Sequence, residues 1–154
     1  MRSFNEVDKT KKKRRIQTVE NPASLSREAL AQLEDAIKAS LREGYLPCAI
    51  AFKIASEAGV PKIAVGDMTD RLGVRVANCQ IGCFKVDKTI HDKPAGEEAD
   101  KRIVNALASL KEKDELTCAN VHSLARQLNL TPMSVADVAN TRNWKIHVCQ
   151  LGCF

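Results

Sequence analysis

The sequence predicts a mainly α-helical protein with short β segments, built as two copies of one unit related by pseudo-symmetry. Three observations carry that expectation. Shifted by 70 residues, positions 29–84 lie on 99–154 without a gap, and 13 of the 56 pairs are identical. Apolar residues recur every three or four positions in each copy, the period of a helix with one buried face. A short stretch before each end, 74–78 and 144–148, is rich in β-branched residues or alternates, as strands do. Two copies are too few for an extended solenoid, so two lobes are expected.

The elements of the first copy follow in order. Ser24-Leu25-Ser26 offers an N-cap, and Leu30, Leu33, Ile37 and Leu41 form a stripe that runs to Gly44. Tyr45-Leu46 is a short extended link. Pro47 suits a first helical position, and a second helix runs from Cys48 to Gly59. Pro61 opens a third helix with Ile63, Val65, Met68 and Leu72 inside, stopped by Gly73. Val74 to Asn78 is the strand. The second copy repeats the order: Ile103, Leu107 and Leu110, then Leu116, a helix from Cys118 to Leu128, a helix from Pro132 to Asn140, and a strand from Trp144 to Val148. The expected division is a flexible basic arm over 1–23, repeat 1 over 24–84, a linker over 85–96 and repeat 2 over 97–154.

The strongest internal likeness is chemical. Five of the 13 identities fall in CQIGCF (79–84) and CQLGCF (149–154). Cys48, Cys79 and Cys83 align with Cys118, Cys149 and Cys153. A thiol at a helix start is biased toward thiolate by the helix dipole, and the glycine before Cys83 and Cys153 lets the chain curl. Pairing of the link before the second helix with the strand after the third would bring Cys48 toward the Cys79–Cys83 loop. Each triplet is therefore a candidate metal site. Structural zinc uses four ligands, and no histidine repeats: His122 aligns with Phe52, His147 with Ala77, and His91 falls in the linker. Three thiolates suit an iron–sulfur cluster with one open iron; zinc, no metal, and metal-free thiol switching are the alternatives. Phe84 and Phe154 are expected as packing plugs beneath the motif.

The middle of each copy, roughly 45–78 and 115–148, resembles the helix-turn-helix of DNA-binding regulators. Ala55, Gly59, Val65 and Met68 match its spacing, as do Ala125, Asn129, Val135 and Val138. A strand on either side of the helix pair resembles a winged helix. The resemblance implies that the third helices face DNA, offering Lys62, Thr69 and Arg71 in one copy and Ser134, Asn140 and Arg142 in the other. Asp67 and Asp137 occupy equivalent positions there and would repel phosphates.

Charge points the same way. The net charge is +5, yet residues 16–154 hold 17 basic and 17 acidic side chains, so the excess lies in Lys9, Lys11, Lys12, Lys13, Arg14 and Arg15. Such a block finds phosphates by counterion release. No apolar run approaches the roughly 20 residues of a membrane span, and the N-terminus has no signal-like apolar core. A cytoplasmic protein is expected, where thiols stay reduced. No nucleophile–base set, phosphate loop or paired carboxylates identify an enzyme. The expected function is a DNA-binding transcriptional regulator or sensor with a metal or iron–sulfur site in each repeat, and a homodimer is allowed. The alternatives are a metal-binding adaptor that docks another protein, and a thiol or iron–sulfur redox protein.

Overall fold

The computed structural model describes residues 4–16, 19–83 and 97–154. The expected linker lies outside these residues, as does Phe84. The fold is mainly helical, with one small two-stranded sheet among the described residues. It divides into two compact units, one comprising residues 1–79 with 150–154, the other residues 80–149.

In the first unit, α1 (Glu6–Arg15) precedes α2 (Arg27–Ala39), β1 (Tyr45–Pro47), α3 (Cys48–Ala58), α4 (Lys62–Leu72) and β2 (Arg75–Ala77). Ser26 caps α2 by accepting from the Ala29 amide. That helix stops at Ala39, before the predicted Gly44; Gly44 serves the following turn at φ 84°. Pro47 and Pro61 sit one residue before α3 and α4, as N-caps with no side-chain acceptor. Gly59 and Gly73 end α3 and α4 in the left-handed conformation that glycine adopts without strain. β1 and β2 pair in parallel, Tyr45 with Arg75 and Pro47 with Ala77. Parallel strands need a crossover, and the α3–α4 pair is that crossover. Leu33, Ile37, Leu46, Ile54, Val65 and Met68 make the core, each worth about 1.5–3 kcal/mol on burial.

The second unit repeats this order with α5 (Glu97–Glu112), α6 (Cys118–Gln127) and α7 (Pro132–Thr141). Its sheet is reduced to one parallel bridge, Thr117 to His147, at the positions equivalent to Pro47 and Ala77. Ile103, Leu107, Leu116, Val121, Val135 and Ile146 form the core. The left-handed turns recur at the same offset: Gly44 and Asp114, Gly59 and Asn129, Gly73 and Asn143, Asn78 and Val148, Gly82 and Gly152.

The units are not the repeats. Residues 150–154, from the end of repeat 2, belong to the unit built from repeat 1, and residues 80–83 belong to the other unit. In the first unit a Cβ on Gly66 of α4 would lie 1.8 Å from the Leu151 carbonyl oxygen, and one on Gly152 would lie 2.7 Å from Ile63 Cδ1. In the second, Gly82 faces Met133 and the Asn140 side chain, which donates to the Ile81 carbonyl at 3.3 Å. Ile81 and Leu151 are fully buried. These two aliphatic side chains are the buried plugs; Phe154, expected in that role, is only half-buried.

Candidate functional site

The chain expected as a free arm forms helix α1 in the structure. Asn5 and Asp8 make a capping box, each side chain accepting from the other's amide. Glu6 and Asp8 fall in the first turn and Lys12 to Arg15 in the last, the arrangement the helix dipole favours. Lysine and arginine are themselves good helix formers. The Asn5-x-x-Asp8 signal stands in the sequence ahead of the basic run, and the charge of the run overshadowed it.

One side of α1 lies against α4 and the turn after it. The Phe4 amide donates to the Gly73 carbonyl at 3.2 Å. Lys12 Nζ meets Asp70 at 2.6 Å, and Arg75 meets Asp8 at 3.3 Å. Both cations also lie within 6 Å of the Phe4 ring. Beyond the helix, the Asn21 amide donates to Asp67 at 3.1 Å. Burial pushes the Asp70 carboxyl above its ordinary range, against the opposing pull of the Lys12 hydrogen bond and charge. A cavity of about 170 Å³ remains here, lined by Glu6, Lys13, Glu20, Asp67 and Asp70 among others. Asp8, Asp67 and Asp70 were not among the sequence-predicted site residues, since acidic side chains argue against a nucleic-acid surface.

The predicted DNA-facing residues fare unevenly. Lys11, Arg14 and Arg15 are exposed. Lys9 pairs with Glu6 at 2.7 Å, and Lys13 lies 3.7 Å from Glu20. Thr69 is 1% exposed and donates its hydroxyl to the Gly66 carbonyl at 2.7 Å; it faces the core, which corrects the expectation that it reads DNA. Lys62 is half-buried, its ammonium 4.9 Å from the Phe52 ring. Arg71 is exposed and paired to Asp67 at 3.0 Å, one helical turn away. In the second unit, Ser134 sits in the first turn of α7 with its amide capped by Thr131. Asn140 is committed to Ile81, and Arg142 donates to the Val138 carbonyl with its guanidinium over Trp144.

The cysteines are sorted by unit in a way the repeat does not suggest. Cys48 and Cys118 open α3 and α6, both buried. Each follows directly on a strand-paired residue, and the Cys118 amide donates to the His147 carbonyl at 3.2 Å. Cys79 and Cys149 are buried, Cys153 is half-buried and Cys83 is exposed. The Cys83 thiol points back to the Ile81 carbonyl at 3.9 Å. Cys48 and Cys79 share their unit with Cys153, while Cys118 and Cys149 share theirs with Cys83. The same-repeat triplets expected from the sequence are thus divided between units, because each chain segment after Cys79 and Cys149 docks away from its own repeat. Among the described residues no group of three or more histidine, cysteine or acidic side chains is placed to hold a metal ion. No described helix is long and apolar enough to cross a membrane.

No protein-family model, curated protein or solved structure matches the chain.

Proposed function

We propose that the protein binds double-stranded nucleic acid through its phosphates and serves as a transcriptional regulator or sensor. One observation carries the reading. Most of the net positive charge of the chain is concentrated in α1, six cations against two carboxylates, and that segment is a formed helix docked on the body. Phosphate contact by lysine and arginine supplies most nonspecific affinity. The α3–Gly59–α4 arrangement, with its left-handed turn, supports the helix-turn-helix resemblance as a scaffold. A fluorescence anisotropy titration of the full-length protein against random and genomic duplexes tests the proposal. Affinity should fall linearly with salt on logarithmic axes; absence of binding at low salt would sink it.

The adaptor reading stands second, favoured by a different observation. Thr69 is in the core and Asn140 is engaged with Ile81, so two of the six side chains expected to read bases are already committed. A protein that binds every duplex equally would support that reading over sequence-specific regulation.

The thiols are the proposed sensing groups. Any metal held by three of them would draw on Cys48, Cys79 and Cys153 in one unit and on Cys118, Cys149 and Cys83 in the other. Iron, sulfide and zinc analysis of protein purified without oxygen tests this. Metal-free protein with six titratable thiols would leave the reversible thiol switch.

A further inference from the structure

We infer that the nucleic-acid surface is the outward face of α1, and that it works only while the helix is latched on α4, where it covers Asp70 and turns an acidic helix face into a basic one. The inference rests on the nucleic-acid reading above and specifies where and how the contact is made.

The helix has two distinct sides. At 100° per residue, Asp8, Lys12 and Ile16 fall on one side, and these are buried or half-buried against the body. Val7, Lys11 and Arg14 fall on the other, spaced i, i+4 and i+7; Arg15 lies at the border between the sides, seven residues from Asp8, and all four are exposed, as is Lys13. The charges divide the same way. Lys9 and Lys12 are neutralised by Glu6 and Asp70. Lys11, Arg14 and Arg15 keep their charge for solvent, within about 6 Å of rise along the axis at 1.5 Å per residue.

The latch gives this stripe its place. Without α1, α4 would present Asp67 and Asp70 to a polyanion, which is the objection to its use on DNA. With α1 docked, Asp70 is engaged by Lys12 and Asp67 by Arg71 and the Asn21 amide. Three cations then stand over the acidic face on a fixed helix. A preordered helix loses less conformational freedom on binding than a tail does. The cation–carboxylate pairs, the amide contact and the Phe4 ring hold it there.

The docked helix and a free basic tail predict opposite responses to one pair of substitutions. Asp8→Asn with Asp70→Asn removes both carboxylates that hold α1 and raises the net charge by two. A free tail would then bind as tightly or more tightly. A latched helix should lose affinity several-fold or more. The assay is anisotropy with the full chain and a labelled 20-bp random duplex at a series of potassium chloride concentrations. Hydrogen exchange at Phe4 and across α1 reports release. Lys12→Asp, which sets a carboxylate against Asp70, is the second means of release; adding Asp70→Lys should restore both protection and affinity at unchanged net charge. Replacing Lys11, Arg14 and Arg15 together by alanine should lower the log–log salt slope by about 2.7, at 0.9 for each phosphate contact. Released variants that bind as well as the parent would overturn the latch and leave the nucleic-acid reading intact. Variants that keep α1 protected would show that these ion pairs do not hold it, which also overturns the latch. A parent protein that fails to bind any duplex removes the reading itself.

Discussion

Replacing Gly66 by alanine adds one methyl group to the middle of α4, at a point with no room for it. The new Cβ would stand 1.8 Å from the Leu151 carbonyl oxygen and 2.7 Å from its carbon. Reaching an ordinary contact of about 3.4 Å requires the 150–154 segment to retreat by roughly 1.6 Å, because the opposing atoms are backbone and cannot rotate away. Glycine to alanine in a helix interior otherwise stabilises by about 1 kcal/mol. Against that gain stands overpacking, commonly about 1–3 kcal/mol. If the segment lifts off, the burial of Leu151, fully enclosed at present, is lost at about 2 kcal/mol more. The net expectation is a loss of about 2 kcal/mol, with hydrogen exchange accelerated across 150–154. The position equivalent to Gly66 is Ala136, fully buried in α7, so a methyl group is accommodated on that side. Urea denaturation followed by circular dichroism, with exchange measured by mass spectrometry, makes the comparison. A Gly66→Ala protein at least as stable as the parent, with 150–154 still protected, would refute the docking of repeat 2's tail on α4.

Ile81→Ala, although in repeat 1, should destabilise the second unit by about 2–5 kcal/mol; Trp144, the sole tryptophan and a member of that unit, reports it by fluorescence, and an unshifted Trp144 transition would place Ile81 elsewhere. Val148 is 60% exposed at φ 54°, a conformation costly for a β-branched residue, while its equivalent is Asn78 at φ 49°. Val148→Asn should therefore raise stability by about 1 kcal/mol, and a lowered melting temperature would contradict this. The folded pKa of Asp70 is raised, chiefly by burial. Its proton is then held more tightly in the folded state, so this group's contribution to stability is greatest in acid and is lost as pH rises through the window just above the ordinary carboxylate range. Stability measured across that window for the parent and Asp70→Asn should show the parent losing ground to the variant as pH rises; parallel curves would deny the shift.

The helices and turns were legible because each is decided locally. Pro61, Gly59, Gly73 and the 3–4 spacing of Ala64, Val65 and Met68 specify α4 with little help from the rest of the chain. Asn129, at the position equivalent to Gly59, adopts the left-handed conformation at φ 53°. The link-to-strand pairing also follows from unpaired backbone needing a partner, and β1 and β2 meet that need. The destination of the cysteine tails could not be read the same way. CQIGCF and CQLGCF are nearly identical, so nothing in their residues says which α4-like helix each will meet. Gly66 against Ala136 is one of many differences between those helices, and its meaning appears only beside Leu151. The basic run misled for another reason. Six cations suggest solvation, and the carboxylate that engages Lys12, Asp70, lies 58 positions away in the chain.

The exchanged tails separate two lengths of chain that usually coincide, the length that recurs and the length that folds. A fragment cut within 85–96 carries one whole repeat yet lacks the aliphatic plug of its own unit and brings the plug of the other. Such fragments should be poor as independent domains and should complement one another when mixed.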